Sequence, residues 1–103
     1  MKPQAPHQWV KVVERLCDLG EQDQALTKVL PGVLKLSEAE AVEMDGGVAP
    51  WAYWRTASLL RSRGDVAGEL KVLRRFAAQP HAPGRRTEKL LARLARLERK
   101  TAG

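Results

Sequence analysis

Trp51, Trp54, Arg55, Ser58 and Arg61 are the residues whose types and spacing best suit recognition. Trp51 and Trp54 are three apart, and Ser58 and Arg61 continue the same face of a helix. Exposed tryptophan beside arginine is typical of binding hot spots. The competing reading makes both indoles core, since a chain this small needs its large apolar residues inside. A second set is basic: Lys71, Arg74, Arg75, Arg85, Arg86, Lys89, Arg93 and Arg96. If the two helices carrying them pack antiparallel, the set converges near the loop at residues 81–86. Phosphate binding needs such convergence, and affinity then falls steeply with salt. No base-reading motif accompanies the set, so any nucleic-acid recognition would be non-specific. The competing reading is a basic surface that aids solubility.

Catalytic constellations are missing. The sequence has no glycine-rich phosphate loop, no nucleophile elbow and no His-Glu-x-x-His pair. His7 and His81 are isolated, with no ligand or base at a usable spacing. The single cysteine, Cys17, excludes an internal disulfide and a zinc site built from several cysteines. On a helix it reads as a small half-buried apolar residue. We expect a non-enzymatic protein with no metal and no cofactor, in a reducing, cytoplasmic compartment.

The elements that must position these residues read as helices. From Trp51 to Arg63 nothing breaks the pattern, and Pro50 suits a first helical position. Gly64 supplies a left-handed stop and Asp65 a cap for the next helix. There Val66, Leu70, Leu73 and Ala77 make one apolar stripe, widened by Val72 and Phe76. Gln79-Pro80 ends it. The same arrangement stands earlier: a helix from Pro6 or His7 with Trp9, Val12, Val13 and Leu16 on one face, a stop at Gly20, an acidic turn, and a helix carrying Ala25, Leu26, Val29 and Leu30. Pro31-Gly32 conflicts with that second helix, because an interior proline costs ~3 kcal/mol. Continuation of the pattern through Val33, Leu34 and Leu36 favours a kinked helix to about Leu36; the alternative is a break at Leu30. Ser37 to Ala49 reads as an acidic connector with a short helix to Met44, its Glu38, Glu40, Glu43 and Asp45 forming a solvated segment. After a Pro/Gly loop, Thr87 is expected to cap a last helix whose stripe is Leu90, Leu91, Leu94 and Leu97.

The chain has 103 residues, 44% of them hydrophobic, and bounds one domain with a modest core. Its net charge of +6 is uneven. Residues 1–50 hold five Lys/Arg against eight Asp/Glu; residues 51–103 hold thirteen against four. An acidic partner or nucleic acid would meet the second half, unless that half faces the acidic half within the molecule. No stretch approaches the roughly 20 apolar residues of a membrane span. The basic last helix would suit a membrane surface, but its leucines are better explained by docking within the fold.

These hairpins resemble tetratricopeptide repeats over about residues 6–80. Trp9, Leu16, Gly20 and Ala25 fall at that family's aromatic, large apolar, turn-glycine and small-residue positions; Tyr53, Ala57, Leu60 and Gly64-Asp65 do so in the second unit. Glu69 departs from the pattern, standing where the family has alanine. The two stop glycines are 44 residues apart, against the family's repeat of about 34. Residues 51–94 also resemble tetratricopeptide-like tails of bacterial proteins. The resemblance implies a helix face lining a concave groove that holds peptides, with Trp51, Trp54, Arg55, Ser58 and Arg61 at that face.

The expectation is therefore an all-α single domain: tandem antiparallel helical hairpins over about 6–36 and 50–79, an acidic connector over 37–49, and a closing amphipathic helix over 87–100. Its function would be protein–protein interaction with a peptide or partner domain, or, as the alternative, nucleic-acid binding through the basic half. Two repeats are fewer than the three that stacked arrays usually need, so self-association is a further expectation.

Overall fold

The computed structural model describes residues 9–44, 47–48, 50–80 and 84–102. In chain order these form α1 (Val10–Asp18), α2 (Gln22–Gln24), a π segment (Ala25–Val29), α3 (Leu30–Met44), α4 (Pro50–Ser62), α5 (Val66–Ala78) and α6 (Arg85–Ala102). The fold is all-α, and no strand occurs among the described residues. None of the helices is long and apolar enough to cross a membrane. The expected start of the first helix at Pro6–His7, and His7, Asp45 and His81, lie outside the described residues, as does the side chain of Glu43.

Two turns close in the same way. Gly20 (φ +79°) follows α1: its N–H donates to the Cys17 carbonyl at 3.1 Å, and the next N–H, of Glu21, to Leu16 at 2.7 Å. Gly64 (φ +73°) follows α4: its N–H donates to Arg61 at 3.0 Å, and Asp65 N–H to Leu60 at 2.9 Å. Both are Schellman closures, in which a residue without Cβ takes the left-handed position and two orphan carbonyls are satisfied. Asp65 then caps α5, its Oδ1 accepting from Gly68 N–H at 2.9 Å.

Pro31 does not split its helix. α2, the π segment and α3 follow one another without a gap from Gln22 to Met44, and Leu30 keeps helical angles (φ −59°, ψ −38°) despite preceding proline. The π segment Ala25–Val29 contains Thr27, the residue four before Pro31 whose carbonyl the ring would otherwise strike. A wider turn there accommodates the ring. The rod passes Leu36, so residues 37–44 belong to α3 rather than to a separate connector. The reason is packing: Ser37 and Ala41 extend the stripe begun by Leu30, Val33 and Leu34, and both are buried. α6 likewise begins at Arg85, so Thr87 is its third residue, not its cap, and is buried.

α4 lies at the centre. Ala52, Tyr53 and Ala57 pack with Val33, Leu34, Val72, Leu73, Phe76, Leu90 and Leu94 in the larger core. Tyr53 and Phe76 meet with ring centroids 5.2 Å apart, which sets the start of α4 beside the end of α5. Leu59 faces the other way, to Val13, Ala25, Leu26 and Leu30. Val48 is buried beside α5's end, its N–H donating to the Pro80 carbonyl at 2.8 Å.

Candidate functional site

The recognition face expected on α4 divides. Trp51 is half-buried, packed against both core clusters, and its indole N–H is buried without a hydrogen-bond partner among the described residues. Trp54 is 37% exposed. Of the two indoles, Trp51 is thus the more buried and Trp54 the more exposed. Trp51, Trp54 and Arg55 come together in a groove of about 520 Å³, completed by Val10, Val13 and Glu14 of α1 and by Arg86 and Lys89 of α6. Arg55 stands 3.9 Å from Glu14, a loose and partly solvated pair. Ser58 is not in that groove: its hydroxyl accepts from Arg93 at 3.3 Å. Arg61, exposed, lines a separate groove with Val66, Glu69, Arg93, Arg96, Leu97 and Lys100.

Residues 81–83, where the basic set was expected to converge, lie outside the described residues. Three members are drawn to carboxylates of other helices. Arg75 donates to both oxygens of Glu38 at 2.6 and 2.8 Å. Arg93 is buried and places Nε 2.9 Å and Nη2 2.8 Å from Glu69 Oε2. Arg74 reaches Glu98 at 3.1 Å. Lys71 is exposed on α5. Arg85, Arg86, Lys89 and Arg96 remain exposed on α6, where Arg86, Lys89, Arg93 and Arg96 stack three and four apart along one face.

Glu38 is the residue that the reading of a solvated connector missed. It accepts from Arg75 and also from the Tyr53 hydroxyl at 2.8 Å, tying α3, α4 and α5 together. The Arg75 guanidinium, with help from Tyr53, holds the Glu38 carboxyl below its usual range against the opposing effect of burial. Burial first, and then donation to Glu38, push the Tyr53 phenol well above its usual range. Arg75 is pushed up, chiefly by its bonds to Glu38. These shifts belong to a structural clamp.

Glu69, the departure from the family pattern, is buried on α5 and receives Arg93 from α6. The Arg93 guanidinium also lies over the Trp54 ring, 5.1 Å from its centroid. A further shallow groove of about 690 Å³ is lined by Trp54, Lys89, Ala92, Ala95, Arg96 and Arg99, and shares Trp54 and Lys89 with the first. Arg99 and the two alanines were not among the residues expected to act. Their signal was present: small residues on the polar face of a helix leave floor space between its cations.

Comparison with protein-family models, with curated proteins and with solved structures finds no match.

Proposed function

We propose that this chain is a non-catalytic, cytoplasmic interaction module that holds a peptide or a segment of a partner domain between α1, α4 and α6. The observation that carries the proposal is the groove in which Trp51 and Trp54 stand beside Arg55, Arg86 and Lys89. Its lining offers apolar contact from Val10 and the indoles, together with cations and one carboxylate, Glu14. That composition suits a segment with an apolar anchor and acidic flanks. The buried Trp51 N–H adds a donor that an entering carbonyl would satisfy once the ring shifts. Repetition of the glycine closure at Gly20 and Gly64 supports a design of the tetratricopeptide kind.

The test is capture of partners from the source cell by the wild type and by Trp54→Ala/Arg55→Ala, with helicity checked by circular dichroism. These two side chains are exposed or half-buried, so the variant is expected to fold. A partner retained by the wild type and lost by the variant supports the assignment. Partners captured equally by both would sink it.

A further inference from the structure

The groove that Trp54 shares with Ala92, Ala95 and Arg99 differs from the one beside α1. Its lining holds three cations, Lys89, Arg96 and Arg99, two alanines, one indole and no carboxylate. The exposed side chains follow the helix: Lys89, Ala92, Arg96 and Arg99 are spaced three, four and three apart, so they form one stripe about 15 Å long. The nearest buried acid, Glu69, is already neutralised by Arg93. Arg93 in turn holds the indole in place from one side. A fixed, partly exposed indole next to a short track of cations is the combination that binds a single nucleic-acid strand: an unpaired base stacks on the ring while phosphates meet the cations.

We infer that this α6 face binds single-stranded nucleic acid, with one base on Trp54 and phosphates on Lys89, Arg96 and Arg99. An acidic protein segment is the poorer occupant, because an alanine floor offers no pocket for an apolar anchor; the apolar lining belongs to the groove beside α1, with Glu14. Duplex is also poorer, since paired bases leave the indole unused. With no base-edge reader in the groove, DNA and RNA strands of any sequence bind alike.

The experiment is fluorescence anisotropy of labelled single-stranded DNA and RNA oligonucleotides, against the same sequence as duplex and against polyglutamate as competitor. Three phosphate contacts predict that a fourfold rise in salt weakens binding about eighteen-fold. Arg96→Glu/Arg99→Glu leaves one contact, so the same rise in salt costs only about threefold. Trp54→Ala weakens binding about tenfold, and Trp54→Tyr restores most of that. Arg99 lines this groove and not the one beside α1, and Val10 lines the one beside α1 and not this. Val10→Glu therefore leaves strand binding intact, and failure here does not touch the proposal made for the α1 groove. Duplex binding as tight as single-strand binding, an unchanged salt slope in the double variant, or displacement by polyglutamate at equal charge would each overturn the inference.

Discussion

Arg93→Met should be among the most damaging single substitutions in this chain. The Arg93 and Glu69 side chains are only 9% and 5% exposed. Arg93 supplies a hydrogen bond and a second close ion-pair contact to one Glu69 oxygen, a hydrogen bond to Ser58, and a cation over Trp54. Methionine keeps much of the aliphatic packing and removes all four interactions, leaving a buried carboxylate alone. Removing one partner of a buried pair costs about 3–5 kcal/mol. A domain of this length has about 5–15 kcal/mol in total, so the variant loses a large share of it. At a urea slope of about 1.5 kcal/mol/M the midpoint falls by about 2–3 M. The companion is Glu69→Leu/Arg93→Met, which replaces the pair by apolar side chains. It should recover to within about 1 kcal/mol of the wild type or exceed it, because neither desolvated charge remains. Urea titrations followed by circular dichroism and tryptophan emission measure both. A cost below about 1 kcal/mol for the single variant, or a double variant no better than the single, would refute the view that this pair docks α6 on α5.

Three further outcomes are expected. Glu38→Gln lowers the melting temperature at neutral pH. Because the folded-state carboxyl is depressed, its contribution is complete above about pH 4.5 and lost as pH falls; a melting scan against pH should therefore show a flatter acid limb in the variant. Tyr53 has the opposite sign: its raised phenol stabilises fully below about pH 10 and that part fades as pH rises. Tyr53→Phe costs about 1 kcal/mol at neutral pH and removes the alkaline component, read by the same scan carried upward. Gly64→Ala meets nothing within 4 Å, so only its backbone at φ +73° resists; chemical denaturation should show a loss of about 1 kcal/mol.

The α4–α5 hairpin was legible because its signals are local. Pro50, Gly64 and Asp65 act through their own backbone or through residues three to five away, and the helices run Pro50–Ser62 and Val66–Ala78, close to the expected limits. Pro31 was harder: its cost is readable, but the π turn that absorbs it depends on how the whole rod packs. The site was half legible. Helical spacing gathers Trp51, Trp54 and Arg55 on a face. It does not say which of two indoles three apart turns inward. The sequence groups Arg75 and Arg93 with the basic set because their carboxylates, Glu38 and Glu69, lie 37 and 24 residues away. Glu69 carried an unused clue: an acid among the apolar positions of α5 is stabilised there by a cation, which α6 supplies as Arg93.

The lopsided charge of the chain finds an internal use. Among the described residues, Glu14–Arg55, Asp23–Arg63 and Glu38–Arg75 each join an acid of residues 1–50 to an arginine of residues 51–103. The first two are long and solvated, at 3.9 and 3.5 Å, and add little to equilibrium stability. Their field nonetheless acts over about a Debye length before any side chain touches. Severed between α3 and α4, the chain would yield an acidic fragment and a basic one that attract each other in solution, reassembling fastest at low ionic strength.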